Sequence, residues 1–352
     1  MKYPHIVRAF AETPWAILPA AYATILDLVE FRAAGYELST DEIRDRVGAR
    51  KPPVQTQAGD VAVLPLYGVL FPRANLMTEM SGATSLETWS ATFRQLVRDP
   101  AVSAIVLDVD SPGGLVDRVL ETAAEVREAR KAKPILAVAN TTAASAAYWI
   151  ASQADEVVVT PSGEVGAIGV FSAHDDVSGL QEKMGVKTTL IWAGKYKTEL
   201  SPFEPLSEEA RAAEQASVDD VYGDFVEAVA KGRGVSVATV RSGFGEGRVA
   251  NARNAVAEGM ADRVDTLDAT VARLLRGAAG HRQASDRLAD ESTLEQPEAV
   301  EPVTLAQPEQ ADEQPVPEPL LAGAERLLAR AAVRDAYKGP LTNHARPKGE
   351  PR

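Results

Sequence analysis

The feature that most constrains this fold is a set of short, almost unbroken aliphatic runs separated by longer amphipathic segments. Ala104–Val109 (AIVLDV) is one such run, and Ile135–Ala139 and Glu156–Thr160 follow it along the chain. A run without polar alternation is typical of a strand that is covered on both faces. Strands that alternate with helical segments such as Val116–Lys131 predict an α/β fold built from β-β-α-like units.

The same patterns predict elements on both sides of these runs. Residues 1 to about 46 have helical spacing of their apolar positions, and the stretch from Pro14 to Val29 reads as a short amphipathic helix. Gly259 is expected to end a helix in the left-handed conformation. The remaining predictions are strands at Val61–Val69 and Thr188–Trp192, and helices at Ser85–Arg98, Ala143–Ser152, Leu206–Lys231 and Ala255–Met260.

Changes in composition divide the chain into four parts. Residues 1–58 are predicted to form an N-terminal helical segment and linker, and residues 59–277 the main domain. Residues 278–319 contain the stretch 289–319, which has nine Asp or Glu, six Pro and no Lys or Arg, so we expect a disordered acidic linker. Residues 320–352 regain helical periodicity and are predicted to form a scaffold-like helix and tail that meets a partner.

Composition also excludes several classes of protein. The formal charge of −13 and the lack of a basic stripe argue against nucleic-acid binding. The chain has no cysteine, which excludes disulfides and thiolate chemistry, and its four histidines lack metal-ligand spacing. No apolar run is long enough to span a bilayer, and no secretory signal is evident, so we expect no membrane partner and a cytoplasmic protein.

The first motif with chemical potential is DSPGG at residues 110–114, where a buried strand opens towards a helix. Two adjacent glycines let the backbone approach a ligand closely, and their N–H groups can stabilise a developing oxyanion. The motif fits equally a tight turn that merely needs a positive φ angle.

The second motif surrounds Ser145 in TTAASAAY at residues 141–148, again directly after a predicted buried strand. Small neighbours leave the hydroxyl accessible to a substrate carbonyl, and the Ala146 N–H can supply another oxyanion donor. The alternative is a helix of small residues that packs tightly against a sheet.

The third motif is GKYKTELSP at residues 194–202, which holds Lys195 and Lys197. A lysine acts as a general base only when its pKa is lowered, and burial in an apolar pocket achieves this. Taken alone, both residues also fit ordinary surface lysines.

Taken together, these motifs resemble the signal-peptide peptidase A family of Ser-Lys proteases. The matching segments occur in the family's order: DSPGG (110–114), TAASAAYWIAS (142–152), GEVGAIGV (163–170), AGKYKTELSP (193–202) and GRVANARNAVAEGMADRVD (247–265). The likeness covers residues 60 to about 275. It implies the ClpP/crotonase-like fold and a serine endopeptidase that needs neither metal nor cofactor.

The resemblance also implies a role for individual residues. Ser145 corresponds to the nucleophile and Lys197 to the general base, while Gly113, Gly114 and Ala146 are the expected oxyanion donors. Lys197 is preferred to Lys195 because the family's lysine directly precedes the polar stretch that leads to Ser-Pro. Family members often have Gly-Gly after the serine, whereas this chain has Ala146-Ala147, which narrows the space beside the carbonyl.

Within the family, the chain is similar to the phage head-maturation, or prohead, proteases. The basis is TPWAILP at residues 13–19 and the pair Ala173-His174, together with a tail that fits a protease followed by a scaffold. This branch implies a location inside the phage prohead and protein partners such as scaffold, portal or other head proteins, including the protease itself. Family members also form ring-like homo-oligomers, in which the lysine can come from a neighbouring subunit.

Three alternatives stay open from the sequence. A housekeeping peptidase that degrades signal peptides shares the same chemistry. A crotonase-like acyl-CoA enzyme shares the paired-glycine oxyanion hole, although no acidic pair or basic CoA patch is evident. A non-catalytic scaffold would retain only the fold. His174 is the one histidine expected near the cleft, and we interpret it as a polar turn residue.

Overall fold

The computed structural model describes residues 13–33, 42, 56–58, 60–74 and 83–276. The predicted acidic linker 278–319 and the C-terminal helix 320–352 lie outside the described residues. The strands are β1 (Trp15–Ile17), β2 (Thr56–Ala58), β3 (Val61–Tyr67), β4 (Leu70–Phe71), β5 (Thr84–Ser85), β6 (Ala104–Ser111), β7 (Gly113–Leu115), β8 (Ile135–Ala144), β9 (Glu156–Val159), β10 (Glu164–Gly166), β11 (Val249–Asn251) and β12 (Arg263–Val264).

Helices connect these strands and cover the sheets. They are α1 (Pro19–Ala33), α2 (Leu86–Arg98), α3 (Val119–Ala129), α4 (Ala146–Ala151), α5 (Ser178–Lys183), α6 (Glu208–Arg233), α7 (Val237–Ser242) and α8 (Ala252–Ala257), and residues 267–276 are also helical. The Ser85 side chain accepts from Thr88 N and so caps α2 at its start. Gly259 has φ +80°, which agrees with the left-handed conformation predicted for it.

A mostly parallel sheet forms the centre of the domain. Strands β3, β6, β8 and β9 are neighbours in parallel, and β10 and β11 extend the sheet on the side that carries the motifs. Ile105, Val106 and Leu107 in β6 are completely buried. Because consecutive side chains of a strand point to opposite faces, this burial shows that the strand is covered on both sides, as its aliphatic run predicts.

A smaller sheet with the order β1-β7-β4-β5 lies where the strands of the large sheet end. The chain twice follows one route: a long strand of the large sheet, a short strand of the small sheet, and then a helix. β3, β4 and α2 form one such unit, and β6, β7 and α3 form another. This β-β-α repetition confirms the predicted α/β class built from β-β-α units.

Two local predictions are wrong. Trp15–Ile17 is a strand and not part of a helix, because its backbone pairs with β7 and its side chains are buried in a tertiary contact. Tertiary pairing of this kind overrides local periodicity. Thr188–Trp192 is not a strand, although its residues favour one. Ile191 is 96% exposed, and the segment pairs with no strand among the described residues.

Candidate active site

Ser145 occupies the single residue between the end of β8 at Ala144 and the start of α4 at Ala146. Its N–H donates to Gly166 O at 2.6 Å, which fixes the turn to β10. Its carbonyl accepts from Trp149 N at 2.9 Å and closes the first turn of the helix. Both neighbouring elements therefore determine where the hydroxyl is held.

The backbone of Ser145 is strained. Its φ of 54° and ψ of −122° lie in a region that L residues rarely adopt. Such a conformation is unfavourable by about 1–3 kcal/mol and persists only where the surrounding structure enforces it, which is common at catalytic sites. A serine on a sharp strand-to-helix turn is also how another class of hydrolases presents its nucleophile.

The glycine turn of β7 lies against this serine. Gly113 has φ +104°, and a Cβ built on it would lie 3.0 Å from Ser145 Cβ, so the two residues are in close contact. A Cβ on Gly114 would lie 2.0 Å from Leu70 O. Both positions therefore require glycine, because any side chain would collide with backbone or with the serine.

Ser111 supports this turn, a role that the sequence motif did not reveal. Its hydroxyl donates to Gly68 O at 2.6 Å and accepts from Gly113 N at 3.2 Å. The Gly113 N–H is thus held by Ser111 in a turn that lies against Ser145. Ala146, the first residue of α4, contributes one of the N–H groups that a first helical turn leaves without an intrahelical partner.

The Ser145 side chain is less accessible than its small neighbours predict. The residue is only 1% exposed, and its hydroxyl donates to Gly169 O at a long 3.4 Å. The alanines on both sides are also fully buried and pack in the core. The expectation of an open hydroxyl is therefore wrong for this structure, in which β1 lies over the glycine turn.

Lys197 lies in an exposed turn that follows Gly194. Its N–H donates to Gly194 O at 3.2 Å, and among the described residues no hydrogen bond joins its side chain to Ser145. The structure therefore brings Ser145, Gly113 and Ala146 together, and it leaves Lys197 in solvent within a single chain.

Lys195 is engaged in a different contact. Its Nζ donates to Tyr196 Oη at 2.6 Å and to Glu209 Oε1 at 2.9 Å. These two hydrogen bonds, with that to Tyr196 the larger cause, raise the pKa of Lys195. The amine is therefore held in its charged form, which is the opposite of what a general base needs.

A cleft of about 320 Å³ lies next to the segment that accepts the Ser145 hydroxyl. Val170, Phe171 and His174 form part of one wall, and α6 forms another. Both ring nitrogens of His174 are buried without a hydrogen-bond partner among the described residues. His174 therefore lines this cleft, and its interpretation as a polar turn residue stays a prediction.

The described residues contain neither a metal cluster nor a membrane-spanning helix. No group of three or more His, Asp or Glu side chains is close enough there to hold a metal ion. None of the helices in that part of the chain combines the length and apolar character needed to cross a membrane.

Comparison with known proteins identifies the family of the chain. The profile described as "Peptidase family S49" matches residues 127–280. The putative protease slr0021 of Synechocystis is 31% identical over 190 residues, which are 53% of this chain and 68% of that protein.

Two phage proteins are also similar to the chain. The capsid assembly protease C of Escherichia phage lambda is 32% identical over 66% of this chain, and the head-tail preconnector protein GP5 of Enterobacteria phage P21 is 34% identical over 67%. The matched regions are 55% and 46% of these two relatives, so the chain spans about half of their length.

Proposed function

The chain belongs to peptidase family S49 and is a serine-type peptidase, and on that premise we propose that Ser145 is its nucleophile and Lys197 its general base. The observation that carries the nucleophile is the strained turn at Ser145, with φ 54°, in close contact with the glycine turn at Gly113. Strain at a serine beside backbone amides is typical of an acyl-transfer site.

In the proposed reaction, Lys197 accepts the Ser145 proton while Oγ attacks a peptide carbonyl. The C–O bond forms, and the tetrahedral oxyanion accepts hydrogen bonds from the N–H groups of Ala146, Gly113 and Gly114. The Gly113 N–H must first leave Ser111 Oγ, and the Gly114 N–H must first leave β1. The C–N bond then breaks as the protonated lysine passes its proton to the leaving amine. Water activated by the same lysine hydrolyses the acyl-enzyme.

The contacts of the two lysines support the choice of Lys197. Lys195 is held by Tyr196 and Glu209, which favour its charged form. Lys197 has no competing ion pair among the described residues and is free to enter a site. A lysine must lose its solvent before it can act as a base near neutral pH, and the exposed position of Lys197 does not provide this within one chain.

We therefore propose that a neighbouring subunit completes the site. The segment before Lys197 carries large apolar side chains that point into solvent: Leu180 (58% exposed), Met184 (68%), Ile191 (96%) and Trp192 (53%). A patch of this kind marks a protein interface. Burial of this segment against a second copy of the chain would desolvate Lys197 and place it beside Ser145 of that copy.

The proposed substrates are phage head proteins and, in addition, the C-terminal tail of this chain. The names of the lambda and P21 relatives, a capsid assembly protease and a head-tail preconnector protein, support this class of substrate. The proposed setting is the prohead, where scaffold and portal subunits are concentrated around a homo-oligomeric protease.

The test compares the purified full chain with three variants on casein and on its own tail. We expect Ser145→Ala to abolish cleavage, and Lys197→Ala to reduce kcat/KM by about 10²–10⁴-fold, which is the range for loss of a general base. Lys195→Ala is the matched control and should retain activity. Mass spectrometry of the fragments gives the cleavage sites, and full activity in Lys197→Ala would exclude that lysine as the base.

A further inference from the structure

Strand β1 lies in the site as an extended peptide would. Its residues pair antiparallel with β7 in the register Trp15 with Leu115, Ala16 with Gly114 and Ile17 with Gly113. The flanking hydrogen bonds, Leu18 N to Pro112 O at 2.9 Å and Val116 N to Pro14 O at 3.4 Å, place Ala16 in a hydrogen-bonded pair with Gly114. The peptide groups of Gly114 therefore face β1.

The other edge of β1 is also paired. Trp15 N donates to Phe171 O at 2.9 Å, and Phe171 N donates to Trp15 O at 3.0 Å. The main chain of β1 thus pairs on both sides: Ala16 pairs with Gly114 of β7, and Trp15 pairs with Phe171. Strand addition of this kind is a general way in which proteins bind extended peptides through their main chain.

The strand passes directly beside the nucleophile. A Cβ built on Gly113 would lie 2.2 Å from Ala16 O, 3.0 Å from Ile17 Cα and 3.0 Å from Ser145 Cβ. The Ala16 carbonyl oxygen and Ser145 Cβ therefore both lie close to the same point beside Gly113. The peptide group between Ala16 and Ile17 is thus next to the serine.

The side chains of β1 occupy matching surfaces. Trp15 and Ile17 point into an apolar pocket that includes Val69, Phe71 and Leu115, and the Trp15 ring meets Phe71 edge-on at 6.2 Å. Ala16 points to the opposite side and packs in the main core. The groove therefore accommodates a large, small, large sequence of apolar side chains.

From these contacts we propose that the groove between Gly113–Leu115 and Phe171 is the peptide-binding groove, and that Trp15–Ile17 occupies it as a resident competitor. Substrates are extended peptides with large apolar side chains on both sides of a small one, and they bind only when β1 leaves. This inference rests on the proposed function for its link to catalysis, but occupancy of the groove can be measured without catalysis.

The binding test uses full-length chains that carry Ser145→Ala, so that nothing is cleaved. The probe is a fluorescently labelled peptide with the sequence TPWAILP, identical to residues 13–19. Adding Trp15→Ala weakens the resident strand and should tighten peptide binding by about tenfold, because a larger fraction of the groove is open. The matched control is Phe93→Ala, which removes a ring that is 1% exposed from α2 and leaves β1 unchanged.

Fluorescence anisotropy reports the affinities, and a scrambled peptide shows sequence dependence. Equal affinity in the Ser145→Ala chains with and without Trp15→Ala, or no binding to either, overturns the proposal. If Trp15→Ala does not fold, as judged by circular dichroism, Ile17→Ala removes a smaller part of the same strand and gives the same comparison.

The second measurement returns Ser145 to the chain and follows its rate of labelling by a fluorophosphonate. We expect Trp15→Ala to be labelled about tenfold faster than the wild type, in proportion to the open fraction, while Phe93→Ala matches the wild type. Tighter binding of TPWAILP to the Trp15→Ala chain, together with an unreactive Ser145 in every chain that carries it, would contradict the proposed function and leave groove occupancy supported. Equal labelling of a reactive Ser145 in both chains would overturn the role of β1 as a competitor.

Discussion

At the scale of single residues, Ser145 supplies the hydroxyl that the proposed reaction needs, but its backbone is held in an unfavourable conformation. Its φ of 54° favours glycine, yet only a serine supplies the hydroxyl. The sequence predicts this residue as the nucleophile from the family resemblance and from its motif, because small neighbours and a preceding aliphatic run can be recognised in the sequence alone. The strain was not visible, because it arises when β10 holds the Ser145 N–H through Gly166.

The strain leads to a prediction that separates function from stability. Ser145→Gly and Ser145→Ala both remove the proposed nucleophile, but only glycine relieves the backbone conformation, so the glycine variant should be more stable by about 1 kcal/mol. The free energies of unfolding are measured by urea denaturation at constant m-value. A less stable glycine variant would mean that the entropy of the unfolded chain outweighs the strain.

At the scale of elements, a strand whose own pattern reflects its burial is predictable, and a strand that depends on pairing with a distant part of the chain is not. The aliphatic run at 104–109 is buried on both faces by its own neighbours in the chain, so its pattern is sufficient. Trp15–Ile17 becomes a strand only because Gly113–Leu115, about a hundred residues later, offers an edge. Thr188–Trp192 has strand-forming residues but pairs with no strand in the part of the chain that the structure describes.

One link between elements predicts a pH effect. Asp262 accepts from both terminal nitrogens of Arg233 at 2.8 Å and from Val157 N at 2.7 Å, which ties the end of α6 to β9. Partial burial alone raises the pKa of Asp262, but the bonds from Arg233 and Val157 outweigh it and hold that pKa below its usual value. The stabilisation is therefore present near pH 7 and is lost as the pH falls through the lowered pKa.

Asp262→Asn should accordingly destabilise the domain at pH 7, by about 1 kcal/mol once solvent screening of this partly exposed pair is allowed for. The difference from the wild type should shrink below about pH 3.9, the pKa of an unperturbed Asp, because the wild-type carboxylate is then being protonated. Urea unfolding at pH 7, 5 and 3 measures this difference.

Asp224→Asn on the exposed face of α6 makes the same charge change and should have little effect on the free energy of unfolding. A difference between Asp262→Asn and the wild type that stays constant at all three pH values would contradict the assignment.

At the scale of the whole molecule, the proposal of an active site shared between subunits accounts both for the exposed apolar segment and for the solvent-exposed Lys197. Mixing two inactive variants tests this directly. Ser145→Ala lacks the hydroxyl and Lys197→Ala lacks the base, but an interface between the two kinds of chain joins the intact Lys197 of one to the intact Ser145 of the other. Random mixing in a ring of head-to-tail contacts should therefore restore about one quarter of the wild-type activity per chain.

The controls decide between a shared site and a site within one chain. Each variant alone must be inactive, and a mixture of Ser145→Ala with the Ser145→Ala/Lys197→Ala double variant must remain so, because no hydroxyl is present. Ile191→Glu places a charge in the exposed apolar segment and should abolish recovery when both partners carry it, since burying an unpaired carboxylate is strongly unfavourable. No recovery in mixtures whose subunits have exchanged, as shown by native mass spectrometry, would place Ser145 and Lys197 in the same chain and require a movement of residues 193–200 towards the serine.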